Sequence, residues 1–175
     1  MRRGPIPGST GAVRPLRTYG DPVLHSPSRP VAAGDRASLP ALMEDLYATM
    51  YAAHGVGLAA CQIGVPLRVF VYDCPDDEDR RHRGHVVNPR PVQVDGVRVR
   101  GPEGCLSLPG LEAPTPRADV AVIEGEDVTG APVRVEGSGY FARCLQHEYD
   151  HLEGRLYVDG LTGWARRRVL RRIMK

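Results

Sequence analysis

The stretch His147-Glu148-Tyr149-Asp150-His151 constrains this chain more than any other. On a helix, histidines four residues apart lie on one face, one above the other, and can hold a single metal ion. The glutamate between them lies beside that face and can take a proton from a metal-bound water. The flanks read as a helix: Ser138 is a candidate N-cap, and Gly154 a candidate residue just past the C-terminus. Between them Phe141, Cys144, Leu145, Glu148 and Leu152 recur at helical spacing. The stripe that should turn inward therefore carries Glu148 and both histidines in it or beside it. Burying such groups without partners costs roughly a few kcal/mol each, a conflict that a bound ion removes. The plain alternative is a surface helix with two solvated histidines, and the apolar stripe argues against it.

A water-activating centre needs a third protein ligand and an open position. The chain offers Cys61, Cys74, Cys105 and Cys144. Cys144 shares the helix face, but it is seven residues from His151, about 10 Å along the axis. Ligand bonds of about 2.0–2.3 Å cannot bring it and both histidines to one ion on an intact helix. Cys144 is therefore predicted to be a small buried apolar residue near the site. Spacing alone leaves the other three cysteines open.

Three segments settle the choice by resemblance. They are Gly55-Val56-Gly57-Leu58-Ala59-Ala60-Cys61-Gln62, then Glu103-Gly104-Cys105-Leu106-Ser107, then Gln146-His147-Glu148-Tyr149-Asp150-His151. In type, order and separation they resemble the three signatures of the peptide deformylase family, and the likeness runs from about Pro15 to Lys175. The resemblance implies Cys105, His147 and His151 as ligands of one divalent ion per chain. That ion would be ferrous iron in the cell, with zinc, nickel or cobalt as replacements in purified protein. The reaction implied is removal of the N-formyl group from the formyl-methionine of newly made proteins, with release of formate. A metal-bound water, deprotonated with help from Glu148, would attack the formyl carbon, and Glu148 would then protonate the leaving amine. Gln62 is implied as a catalytic amide whose NH2 group can donate to the oxyanion, and the Leu106 N–H is a second candidate donor. By position, Val56, Gly57, Gly104, Leu106, Arg143 and Cys144 should line the substrate site. The glycines Gly55 and Gly57 let main chain approach a peptide that docks like an added strand. Two positions depart from the family pattern. Cys61 stands where many members have proline or threonine, and Glu112 where some have an arginine near the substrate.

The remaining sequence is consistent with this reading. A chain of 175 residues is expected to form one domain, and a net charge of +2 does not by itself suggest a nucleic-acid binder. Four cysteines do not read as a disulfide framework. No apolar run is long enough to span a membrane. Residues 1–13 are rich in Gly, Pro and Arg and lack a secretory core, so a flexible tail is expected, an organelle-targeting remnant being the other reading. Residues 14–175 would form the catalytic domain, placed in the cytoplasm.

Helical spacing predicts a helix from Leu39 to about His54. A strand is expected over Leu67–Tyr72, a charged exposed loop over Asp76–Arg83, and two strands around an Asp95-Gly96 hairpin turn within Val86–Arg100. A Pro-rich loop is expected over Pro109–Pro116, then strands Val120–Glu124 and Ala131–Glu136 around Thr129-Gly130. The resemblance implies an α+β fold, with antiparallel or mixed sheets wrapped around the central metal-binding helix and helices near both ends. In Leu161–Lys175, Leu161, Trp164, Val169, Leu170 and Ile173 could form an apolar stripe under a basic face. That face is either simply solvated or, as the resemblance implies, a contact to the ribosome. A zinc endopeptidase and a ribosome-binding module with a purely structural metal are the rival functions.

Overall fold

The computed structural model describes residues 7–173. Helix α1 spans Leu39–Ala52, and strand β1 Gly57–Ala59 follows it. Strands β2 Val69–Pro75, β3 Arg81–Cys105, β4 Leu108–Glu126 and β5 Pro132–Ser138 come next, then helices α2 Gly139–Leu152 and α3 Gly163–Ile173. The strands form one five-stranded sheet in the order β1-β2-β3-β4-β5, every neighbour antiparallel. The α+β architecture expected from the resemblance is present, with one hydrogen-bonded sheet in place of several.

Strand β2 shows why the helices sit where they do. Its sequence Val69-Phe70-Val71-Tyr72-Asp73-Cys74 is buried along its whole length. Val69 and Val71 pack with Leu39, Leu46 and Met50 of α1. Phe70, Tyr72 and Cys74 pack with Phe141 and Leu145 of α2. Alternation along a strand thus sends successive side chains into two layers. Each fully buried Leu or Phe contributes about 1.5–3 kcal/mol. Helix α2 is therefore a wall of the core, and Phe141, Cys144, Leu145, Glu148 and Leu152 are all buried as their spacing predicts. Its start is at Ser138, whose side chain makes no capping bond, and Gly154 follows its end with φ +69°.

Four local expectations are corrected. Asp95-Gly96 makes no hairpin turn. β3 runs straight through it, and the register passes from Asp95↔Val120 to Arg98↔Ala118. Gly96 and Val97 thus stand opposite the single residue Asp119, a β-bulge with Gly96 at φ +88°. An Asp-Gly pair supplies the positive φ that either a turn or a bulge requires. The chain reverses at Leu106-Ser107, between Cys105 and its partner Leu108. The Pro109–Pro116 segment is strand, not loop. β5 pairs only with Val120–Glu126, so the earlier half of β4 has an edge free of that partner, where a residue without an N–H is tolerated. The charged loop is shorter than Asp76–Arg83, because Arg81 to Arg83 already pair with Pro75 to Asp73. Asp76 closes the turn by accepting from the Glu78 and Arg80 N–H groups at 2.9 and 3.0 Å, and is itself buried. Finally, Trp164 does not join the apolar stripe of α3. It is 68% exposed, while Leu161 and Val169 are buried.

The first six residues of the expected tail, like Met174 and Lys175, lie outside the described residues. Residues 7–14 run along α1. Thr10 bonds Glu44 through its N–H and hydroxyl at 3.1 and 2.8 Å, the Ala12 N–H donates to Asp45 at 2.8 Å, and the Arg14 N–H to Thr49 at 2.9 Å. Among the described residues no helix is long and apolar enough to cross a membrane.

Candidate active site

Three elements deliver the candidate residues. β3 ends at Cys105, the turn after β1 carries Gln62, and α2 presents His147, Glu148 and His151. The helical i, i+4 step brings the two Nε2 atoms to 3.2 Å from each other. Cys105 Sγ lies 3.3 Å from His151 Nε2, and the three donor atoms all fall within 4.8 Å of one another. Ligand bonds of about 2.0–2.3 Å at tetrahedral angles place donor atoms about 3.3–3.6 Å apart, so this triangle has the size of a metal site. One thiolate with two imidazoles suits zinc, iron, cobalt or nickel. Burial holds the His151 pKa well below its ordinary value, which keeps the imidazole in the neutral form that binds metals. Cys144 is not in the triangle; its thiol points to the Val56 carbonyl at 3.7 Å.

The orientation of His147 is fixed by Glu103. This carboxylate accepts from His147 Nδ1 at 2.8 Å, leaving Nε2 to face the triangle. Glu103 is buried and also accepts from Arg117 at 2.6 and 3.0 Å and from Arg143 at 2.9 Å. Arg117 bonds Asp150 on α2 at 2.6 Å. The group of Glu103, Arg117, Arg143 and Asp150 thus clamps β3 and β4 to α2. Burial would raise the Glu103 pKa, but the hydrogen bonds from His147 and Arg117 outweigh it and hold the carboxyl at about 2. Sequence reasoning assigned no role to Glu103, Arg117 or Asp150. Two of them stand inside the recognised signatures; nothing local marks Arg117.

Glu148 is 3% exposed, and its Oε2 has no hydrogen-bond partner among the described residues. Burial pushes its pKa up to about 7. A buried carboxyl with a free oxygen beside this donor triangle is placed to exchange protons near neutral pH. Gly57 makes room for it: a Cβ there would run into the Glu148 carboxyl group. Gln62 is also buried. Its side-chain oxygen accepts from the Ala59 N–H at 2.9 Å, which turns the NH2 toward Ser107 Oγ at 3.2 Å and Cys105 Sγ at 3.6 Å.

A cleft of about 1020 Å³ opens over these groups. Gln62, Cys105, His147 and Glu148 line it, as do all six expected substrate-site residues, Val56, Gly57, Gly104, Leu106, Arg143 and Cys144. Arg143 has little left to offer a ligand, since its guanidinium donates to Glu103, Thr115 O and Val99 O. The two departures from the family pattern lie apart. Glu112 is exposed and lines the cleft. Cys61 is fully buried, donates to the His151 carbonyl at 3.5 Å, and has its thiol pushed up to about 12 by burial. Such a thiol is inert and packs against α2.

Fold and site together define a metallohydrolase in which a Cys-His-His triangle meets a glutamate on the helix of its two histidines. Residues 13–167 match the family described as polypeptide deformylase. Peptide deformylase 2 of Streptomyces avermitilis is 67% identical over 171 residues, covering 98% of this chain and 91% of the relative. A peptide deformylase from Legionella pneumophila superposes with a TM-score of 0.84 at 39% identity, over 93% of this chain and 94% of the other. The Met-Ala-Ser-bound class I type b enzyme of Acinetobacter baumannii does so at 0.80 and 30% identity, over 86% and 99%. The chain belongs to the polypeptide deformylase family. It is a metal-dependent hydrolase acting on N-formyl nascent peptides.

Proposed function

We propose that this enzyme removes the formyl group from formyl-methionine at the N-terminus of nascent chains through Cys105, His147, His151, Glu148, Gln62 and Leu106. The observation that carries this assignment of roles is the donor triangle with the unpartnered Glu148 oxygen beside it. Cys105, His147 and His151 would hold one divalent ion, ferrous in the cell and replaceable by zinc, nickel or cobalt. When bound, that ion acidifies a water and polarises the formyl oxygen. Glu148 takes the proton of the attacking water and hands it to the leaving amine, a task suited to a carboxyl whose pKa is near 7. The Gln62 NH2, steered by the Ala59 N–H, and the Leu106 N–H donate to the oxyanion. Gly57 and Gly104 let the substrate main chain lie close, with Val56, Leu106 and Cys144 as apolar neighbours for the methionine side chain. Arg143 serves by bracing that wall through Glu103. The tripeptide bound to the Acinetobacter relative supports a cleft that takes an N-terminal methionyl chain.

The site of action would be the cytoplasm. The exposed Arg167 and Arg171 of α3 would contact ribosomal RNA through phosphate neutralisation. Residues 14–175 would act as one catalytic unit. The test is release of formate from formyl-Met-Ala-Ser with metal content measured on the same sample, against an unformylated peptide cut at an internal bond. Formate release proportional to bound metal is expected. Cleavage of the internal bond instead would make the protein an endopeptidase.

A further inference from the structure

Helix α3 reaches the catalytic cleft. Arg168 and Arg172 line it together with Cys105, Glu148 and Glu112. They are four residues apart and so share one side of the helix, while Val169 turns into the core. Both are exposed, and neither forms an ion pair among the described residues. Arg143, the other arginine of the cleft, already donates to Glu103 and two carbonyls. Trp164 gives Arg168 a further restraint. The guanidinium carbon lies 5.4 Å from the indole centroid, a cation–π contact to a tryptophan that is 68% exposed.

Two guanidiniums without ion-pair partners suit an oxyanion, a carboxylate or a phosphate, and the oxyanion a peptide brings to a cleft wall is a carboxylate. We propose that Arg168 and Arg172 are specificity residues that bind an acidic side chain of the nascent peptide downstream of the formyl-methionine. This rests on the deformylase reading of the cleft and adds a sequence preference to it. The shared wall with Glu148 and Gly104 favours peptide over RNA as the partner of this pair, whereas Arg167 and Arg171 do not line the cleft. Glu112 lies in the same cleft and repels acids, so the preference should hold at some positions along the peptide and not at others.

The test uses the full-length, metal-loaded enzyme. Its substrates are formyl-Met-Ala-Ser-Ala-Ala-Ala and versions with one Asp or one Lys placed in turn at the third to sixth residue. At low salt the wild type should prefer Asp over Lys at one or two positions by about three- to tenfold in kcat/KM, the scale of two exposed ion pairs, and the difference should lie in KM. The preference should shrink at high salt, invert in R168E/R172E, and vanish in R168Q/R172Q, which removes charge with less risk to folding. R167E/R171E should keep the wild-type ratio. The same ratio in all variants, or no preference at any position, overturns the proposal. So does a R168E/R172E enzyme that loses ribosome binding while its peptide ratio is unchanged, since the pair would then serve RNA. A wild type that releases no formate even from the unsubstituted peptide would fail earlier, at the deformylase reading, and would take the proposal with it.

Discussion

Replacing Glu103 by Gln tests whether the clamp organises the site. The carboxylate is 4% exposed and takes four hydrogen bonds, two from Arg117, one from Arg143 and one from His147. Glutamine keeps the shape but removes the charge and turns an NH2 toward a donor. With its carbonyl oxygen in the Oε2 position, glutamine would keep one bond each from Arg117 and Arg143, and its NH2 would face His147 and the second Arg117 donor; Arg117 would retain Asp150. Breaking a buried pair by neutralising one partner costs about 3–5 kcal/mol. In a chain of this size that lowers Tm by about 6–20 °C. His147 would also lose the acceptor that orients it, an effect typically worth about 10- to 100-fold in metal affinity. Thermal melts with and without metal and a competitive chelator titration measure the two effects separately. A double-mutant cycle with Arg143→Met should reveal a coupling of about 0.5–3 kcal/mol. The acid limb gives an independent check. The folded-state pKa of about 2 lies below the ordinary carboxylate value, so the contribution of Glu103 is present above about pH 4.5 and is lost as pH falls toward 2. The acid limb of stability should therefore flatten in Glu103→Gln. If the variant melts within about 2 °C of wild type and binds metal equally well, the clamp does not organise the centre and the reasoning fails.

Four further outcomes are expected. Glu148→Gln should keep its metal and lose about 100- to 10,000-fold in kcat, and near-normal turnover at full occupancy would remove Glu148 from the proton path. Cys105→Ser should lose metal in a chelator titration, while Cys144→Ala, Cys61→Ala and Cys74→Ala should retain it; equal loss from Cys144→Ala would mean the wrong thiol was assigned. Gln62→Ala should lower kcat by about 10²–10³ with little change in KM, since its donor acts on charge that develops during reaction; a change in KM alone would make it a binding group. Gly57→Ala should displace the Glu148 carboxyl and depress kcat at unchanged metal content, and a fully active variant would show that Glu148 has freedom to move aside.

What could be read in the sequence follows from how local each feature is. The ligand helix was legible because its histidines and its apolar stripe obey one short period. Cys105 was not, since it arrives at the end of a strand and only the resemblance to known signatures singled it out. The Glu103 clamp depends on the register of β3 against β4 and on Arg117 reaching α2, which no window of sequence contains. Asp95-Gly96 misled because a turn and a bulge require the same positive φ, and the choice between them rests on whether a partner strand is in place on both sides of it. The proline run misled because a strand with an unpaired edge does not need those N–H groups. Trp164 counted as apolar by type, but in the fold it stacks on an arginine and stays in water.

The hydrogen bonds that hold Glu103 also bear on how activity should be expressed. Arg117 and Arg143 restrain the carboxylate from two sides, and it in turn fixes His147, so that donor is aimed by protein alone. A scaffold set in this way accepts whichever borderline ion arrives. The usual affinity order places zinc above ferrous iron, so the ion found in a sample would depend on supply as well as on the donor set. Two preparations of one polypeptide can then differ in rate with no difference in fold or sequence. Turnover per bound ion, with the ion identified, is the quantity that compares them; turnover per mole of protein records the history of the preparation.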